Sequence, residues 1–600
     1  MSSIIAQKLK EQTSSLVGTF SKRLATMRGH PETCLLCKQV DRRNALKMAK
    51  GLLGDGERFA VGIDGSMDYD ERLEMFLFYI CATAYKSPLN IGDEISFEFS
   101  KVVRDSRSSV SAAVPLWLED LSDVTKSVQT LETEFDFERS VERIPYALMT
   151  LGELTLALKT LEDDRNKVLF LDRPISGTFG PASRDLRLLL RSGDSALTSF
   201  STSHGNLTML DLSIASVLGP AGLYVPYRKP YLNYAALQKL IERGKLSKTE
   251  LARELHLDDK GVNGVVSRLN RMDKAYKGQL LKSSELGSLE INEEVRRYWD
   301  RVWEVSQQVV KRVFEGKDHP LQIEENRYLS VLDLDAVNVF LIFKLIKESL
   351  TKRVLVIGVT KDTSATDFTR SVIPYASNTG LLESKSSFPN LKNDKAFLTI
   401  MAATNSERIR APWRTVAYDT CFTTLVGSRE GEKISLRAAR KVVSRENLFV
   451  KSYFQLREFK TDPESRSPVF AYDRFFNEAY DNHLIQKVDV YEQDKLVSIN
   501  PYFEGSSIND VDNLILYLLS RSDNPEVLEA FGHNQLLYLA DKAVKVEIKS
   551  MRGTLRGVAD LQLGTLARKE KVFSISRRFR DLRAESEMKR SRVTGEGTRA

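Results

Sequence analysis

Phe59-Ala-Val-Gly-Ile-Asp-Gly-Ser66 is an apolar run that ends on one carboxylate followed by glycine and serine. Such a run reads as a buried strand that lifts Asp64 out of the core and then turns at the glycine. Working outward, Lys167-Val-Leu-Phe-Leu-Asp-Arg-Pro174 repeats the form and ends on Asp172. Two acidic strand ends that meet in space can share a divalent cation and cleave a phosphodiester. Taken alone, Asp-Gly and Asp-Arg-Pro are also ordinary turn openings, since aspartate begins many turns. The rest of the chain has to decide between the two.

A third strand, Arg353-Val-Leu-Val-Ile-Gly-Val-Thr-Lys-Asp362, carries the strongest β signal and ends on Lys361 and Asp362. A lysine at a strand end can meet a phosphate or merely solvate a rim. Between the first two strands, Leu148, Leu151, Leu154, Leu158 and Leu161 form one apolar stripe of a helix that contains Glu153. Ile95-Ser-Phe-Glu-Phe-Ser-Lys101 alternates as a half-buried strand does. Late in the chain, Phe531 to Asp541 reads as a turn entering a helix that bears Asp541.

The 600 residues exceed one ordinary core, and a 42% hydrophobic, 28% charged composition is that of a soluble globular protein. No apolar run is long enough to span a bilayer, and the first residues lack a secretory apolar core, which predicts a cytoplasmic protein with no membrane partner. Four cysteines argue for a reducing interior. Cys34 and Cys37 have zinc-knuckle spacing, but no second pair lies near them. Net charge is +7, with ten Lys/Arg against three acids in residues 1–50 and eleven against five in 566–600, leaving the body at −6. Basic ends, including Arg577-Arg578-Phe579-Arg580, suit phosphate contacts, although solvated tails have the same composition. No Walker-type phosphate loop is present, so an ATP-driven step requires a separate protein.

From Leu237 to Met272 the pattern is helix, turn, helix, with Ser247 or Thr249 able to cap the helix that holds Glu250, Leu251 and Leu255. Arg268, Arg271 and Lys274 follow on the second helix. Such a winged helix-turn-helix reads DNA or serves as a protein-binding module, and Asp258-Asp259 at its turn would repel phosphate.

In this order, a strand ending Asp-Gly-Ser, a helical glutamate, a strand ending in aspartate, a strand ending Lys-Asp and a late helix beginning near Gly532 resemble the NurA nuclease family. The resemblance spans roughly 55–550 and implies an α/β fold: an RNase H-like mixed β-sheet flanked by helices, with the helix-turn-helix inserted. The implied organisation is a basic helical arm (1–56), a core in two parts (57–225 and 346–565), the insertion with a helical bridge (226–345) and a basic tail (566–600). It further implies a manganese-dependent deoxyribonuclease, with magnesium as the alternative ion, that acts on DNA as a homodimer alongside a HerA-type hexameric ATPase in end processing and double-strand-break repair. By position, Asp64, Glu153, Asp172 and Asp541 match metal-site residues, and Lys361 matches the lysine that faces the transferring phosphate. Two positions depart from the family: Arg173 stands where glycine is usual, and Asp541 where histidine is usual. Those departures equally suit a non-catalytic adaptor for DNA or a motor ATPase. On the nuclease reading, Arg173 helps Lys361 offset phosphate charge. His533 is near enough in sequence to stand in for the family histidine, although one of six histidines reads first as a surface or packing residue.

Overall fold

The chain does not turn at Gly65. In a computed structural model, residues 10, 12–19, 21, 31–72, 75–104, 108–125, 137–282, 288–382, 392–430, 433–439, 445–459, 465–524 and 527–569 are described. Gly56–Arg72 forms one strand of 17 residues running straight through Asp64-Gly65-Ser66. It continues because Met75–Ile91, far more apolar, pairs with it residue for residue, Asp64 opposite Thr83 and Gly65 opposite Ala82.

The main sheet has eleven strands. In chain order they are β1 (Cys37–Gln39), β2 (Gly56–Arg72), β3 (Met75–Ile91), β4 (Ile95–Phe97), β5 (Ser109–Trp117) and β6 (Asn166–Leu171). Then come β7 (Leu355–Thr360), β8 (Trp413–Thr415), β9 (Tyr418–Asp419), β10 (Phe449–Gln455) and β11 (Phe470–Phe475). The spatial order is β1-β8-β10-β11-β7-β6-β2-β3-β4, with β5 also on β3 and β9 on β10. At the centre β2, β6 and β7 run parallel, and every other pairing is antiparallel. Parallel strands need both faces covered, which explains their near-continuous apolar sequence.

Two helical layers supply that cover. Among the helices, α1 (Arg42–Leu53), α2 (Phe137–Thr160) and α3 (Ile175–Ser192) precede a middle group, and α9 (Val331–Lys352), α10 (Asp510–Ser522) and α11 (Gln535–Lys569) follow it. The middle group is α4 (Met209–Leu218), α5 (Leu232–Arg243), α6 (Lys248–Leu255), α7 (Asp259–Ala275) and α8 (Tyr298–Glu315), of which α5 to α7 lie in the expected insertion. Val61, Ile63, Leu169, Leu171 and Val356 share one core with α2, α3 and α9. Their neighbours in sequence, Ala60, Val168, Phe170, Leu355, Ile357 and Val359, pack with α1, α10 and the start of α11. The period of two along each strand thus divides the sheet cleanly into two faces.

The insertion is three helices and a ribbon. Lys245–Ser247 pairs antiparallel with Ser288–Glu290, and Ser247 with Glu250 forms the capping box of α6. His256, at φ 51°, ends α6, and Asp258 caps α7. Leu237, Leu251, Val262 and Leu269 join the α2–α3–α9 core, so the insertion is packed onto the body. The expected boundary at 345/346 falls inside α9.

Two expectations change. Residues 31–56 are not helical throughout: Pro31–Leu36 is a 3₁₀ turn, Cys37–Gln39 pairs with β8 as an edge strand, and α1 covers the sheet. The alternation from Ile95 to Lys101 stops being a strand after Phe97, and Phe99–Lys101 is a 3₁₀ turn. The expected basic tail lies outside the described residues from 570 onward.

A buried ion network ties α10 to the sheet. Arg474, 1% exposed on β11, donates to Asp481 (2.6 and 2.8 Å) and to Asp512 of α10 (2.9 and 2.7 Å). Tyr472 and Tyr502 donate their hydroxyls to the same Asp512 (2.9 and 3.0 Å). Removing one member of a buried pair strands the other charge. Arg474→Ala is therefore expected to cost ~3–5 kcal/mol in denaturant unfolding, far more than any exposed arginine.

Candidate metal centre

Register brings the carboxylates together. Ile63 pairs with Leu171 in the parallel β2–β6 ladder, and the Asp172 N–H extends the ladder by donating to the Ile63 carbonyl (3.0 Å). Asp64 and Asp172 therefore lie side by side. Ile63 and Leu171 face α2 and α3, so the next residues along both strands face the opposite layer, toward α10 and α11. On β7, Gly358 pairs with Leu171, and Lys361 follows the strand end. Its Nζ lies 2.5 Å from Asp172 Oδ2.

From above, α11 completes this face. Leu536 and Leu537 pack in the core beneath it, and Asp541 follows one turn later, paired with Lys545 (2.8 Å). Just before the helix, His533 Nδ1 lies 2.9 Å from the Asn534 carbonyl. A carbonyl only accepts, so Nδ1 carries the proton and Nε2 presents its lone pair. Among the described residues, that buried Nε2 has no hydrogen-bond partner. Burial and then Lys361 hold the imidazole below its ordinary pKa, while Asp172 and Asp541 oppose.

Glu153 arrives from behind the sheet. It lies on α2, 1% exposed, and reaches the strand through the space left by Gly65, where a Cβ would sit 2.4 Å from Glu153 Oε1. Any side chain at 65 would push it away. Arg173, expected to face a phosphate, instead turns inward. Its guanidinium takes both Glu153 oxygens, Nε to Oε2 and Nη2 to Oε1 (2.9 Å), and Nη1 donates to Thr150 Oγ1 (2.6 Å). The reason is alternation: with Asp172 on one face, Arg173 must enter the other. Asp473 on β11 fixes the turn between them by accepting the Ile175 and Ser176 N–H groups (3.0 and 2.7 Å) at the start of α3.

The charge balance is uneven. Asp172 has Lys361, Asp541 has Lys545 and Glu153 has Arg173. Asp64 is 6% exposed, and among the described residues it accepts only the neighbouring Gly65 N–H (2.8 Å). Burial first, then Asp172 and Glu153, push its carboxyl up to about 9, with Lys361 opposing. Burial lowers Lys361, yet Asp172 and Asp64 hold its ammonium above the ordinary value.

Of the residues expected at the site, Asp64, Asp172 and Lys361 share one face, Asp541 acts on Asp64 from α11, and Glu153 is held by Arg173 on the far side. His533 belongs with the first group. The only sign of it in the sequence is its place between Gly532 and the α11 start. Among the described residues no three His, Cys, Asp or Glu side chains are gathered as a ready ligand set. Even so, an uncompensated carboxylate, a second carboxylate beside it and a bare imidazole nitrogen fit a divalent cation that takes oxygen and nitrogen donors.

Solved NurA structures are similar to this chain. The NurA nuclease from Sulfolobus solfataricus matches at 11% identity and a TM-score of 0.35, covering 93% of this chain and 97% of that one. A NurA structure with manganese matches at 12% and 0.33, over 92% and 98%, and one bound to dAMP and manganese at 11% and 0.33, over 87% and 94%. No protein-family model matches, and no curated protein does. Likeness at this level transfers no activity, so the chemistry rests on the geometry above.

Asp64 makes stability depend on pH in a definite direction. An acid whose folded pKa lies above its unfolded value stabilises fully below the unfolded value and loses that contribution as pH rises toward the folded one. For Asp64 the loss runs from the ordinary aspartate range up to about 9. In chelator, Asp64→Asn is expected to match wild type near the bottom of that range and to exceed it by ~1–3 kcal/mol at the top, measured by denaturant unfolding across the range.

Proposed function

We propose that this chain is a metal-dependent deoxyribonuclease of the NurA kind. The observation that carries the reading is the Ile63–Leu171 register, which sets Asp64 and Asp172 on one face with Asp64 lacking a cation of its own. The order β5-β3-β2-β6-β7, antiparallel up to β2 and parallel after it, supports an RNase H-like core. The helix-ribbon-helix-helix arrangement supports a winged helix-turn-helix insertion.

Asp64 and Asp172 would hold the ion, manganese or magnesium, with His533 Nε2 and Asp541 at its edge. The bound ion supplies a Lewis acid and a water of lowered pKa. Lys361, kept ionised and partly exposed, donates to a non-bridging phosphate oxygen, where fixed positive charge favours the transition state. His533 Nε2, unprotonated and out of bulk water, would offer its one lone pair to the ion. Glu153 joins the ligands only if Arg173 lets go; as placed, it supports the strand end behind Gly65. The resemblance extends the reading to a cytoplasmic homodimer that works with a HerA-type ATPase in DNA end processing.

One observation favours the other reading, a non-catalytic adaptor: Arg173 occupies both oxygens of the glutamate that matches a metal-site residue. Incubation with 5′-labelled single- and double-stranded DNA in manganese, magnesium or chelator separates the two. The nuclease reading expects metal-dependent products and a loss on the order of 10²-fold or more in Asp64→Ala and Asp172→Ala. A wild-type protein that cuts neither substrate with either ion, while folded, leaves the adaptor.

A further inference from the structure

We infer that the inserted three-helix unit is a duplex-DNA clamp that lays the outer face of α7 into the major groove. This goes beyond the cleavage reading and does not require it. The second helix of such a unit is the one whose exposed face meets base edges. On α7, Lys260, Asn263, Gly264, Ser267, Asn270, Arg271 and Lys274 are exposed at successive helical spacings, while Val262, Val265, Val266 and Leu269 are buried on the other side. The exposed row combines amide, hydroxyl and guanidinium groups, the side chains whose donors and acceptors match adenine, either base, and guanine in that groove. At 17 residues the helix is ~25 Å long, enough to seat its first turns against base edges while the rest runs past the backbone.

Three further observations point to nucleic acid and away from a protein partner. First, no large apolar side chain is exposed between residues 232 and 282, whereas a protein-docking face centres on apolar anchors. Second, the same span holds eleven Lys/Arg against six acids. Its acids are largely spent internally: Glu242 on Lys239, Glu254 on Arg243, Glu250 in the α6 capping box, and Asp273 on the Leu280 and Leu281 N–H groups. Lys245, Lys248, Lys260, Arg271, Lys274 and Lys277 have no ion pair among the described residues. Asp258, which from sequence would repel phosphate, turns its carboxylate onto the Gly261 N–H (2.8 Å) and caps α7. Only Asp259 remains against the unpaired cations. Third, a Cβ at Gly264 would meet nothing within 4 Å. The fold itself therefore does not need glycine there, and glycine weakens a helix interior. A glycine in the middle of the exposed row suits close approach of a second body, here the floor or wall of a groove.

The test uses the full chain in chelator, so that cleavage plays no part, and a labelled mixed-sequence DNA duplex of about 20 base pairs followed by fluorescence anisotropy. Two variants are compared with wild type: Lys260→Ala/Arg271→Ala and Gly264→Gln. The double variant is expected to weaken duplex binding about tenfold or more at ordinary salt and to reduce the slope of log affinity against log salt by about two. Gly264→Gln is expected to unfold at the same temperature or higher and yet bind duplex more weakly, a combination that a purely structural role does not produce. Cleavage of a short single-stranded oligonucleotide with metal, if wild type shows it, is expected to be unchanged in both. Three results overturn the proposal: no saturable duplex binding by wild type, unchanged affinity and salt slope in both variants, or a loss confined to double-stranded RNA or to a protein ligand with duplex DNA binding intact.

Discussion

The pairing of Ile63 with Leu171 and of Leu171 with Gly358 is the constraint from which the site follows. Three parallel strands locked in that register bring Asp64, midway along β2, onto one face with Asp172 and Lys361, which follow the ends of β6 and β7. A slip of one residue would send an aspartate into the apolar layer beside α2 and α3. The register is enforced from both sides, because Val61, Ile63, Leu169 and Leu171 have one core to fill while Ala60, Val168 and Phe170 have another. Such convergence of acids is costly when they are buried, and the chain offsets it with one cation each for Asp172, Asp541 and Glu153. Among the described residues Asp64 forms no ion pair and has only the more distant charge of Lys361. An acid left so is the part of the arrangement that a bound cation would complete.

The frame around the strand ends is held by polar groups spent on structure. Asp473 fixes the entry to α3, so the turn carrying Asp172 and Arg173 cannot drift. Arg474 beside it joins β11 to α10 through two buried aspartates. Glu153 and Arg173 form a plug behind Gly65 that supports the strand from the far face. Each of these groups is buried and has its hydrogen bonds met within the protein.

Part of the candidate face is legible in the sequence, because an apolar run followed by a charge marks a strand and the residue at which its pattern changes. Asp64, Asp172 and Lys361 were found that way, and the capping box at Ser247 was read from its spacing. What failed depended on partners far off in the chain. Asp-Gly looked like a turn, yet β3 pairs through Gly65 and holds it extended. Arg173 looked available for a phosphate, but alternation turns it toward a glutamate twenty residues earlier. Cys37–Gln39 looked helical in isolation and became an edge strand through Trp413–Thr415. His533 is legible only as a histidine near the expected place, and its electrostatic coupling to Lys361, Asp172 and Asp541 depends on parts of the chain far off in sequence.

The central claim is that one strand register joins two aspartates into a single cation site. Calorimetric titration of manganese into the chelator-stripped protein tests it most directly, with Asp64→Asn and Asp172→Asn alongside as folded, near-isosteric controls. The account expects saturable binding by wild type that is lost or severely weakened in each variant alone, since neither aspartate would hold the ion without the other. Binding that survives in both variants, or a wild-type protein that takes up no ion, would contradict it.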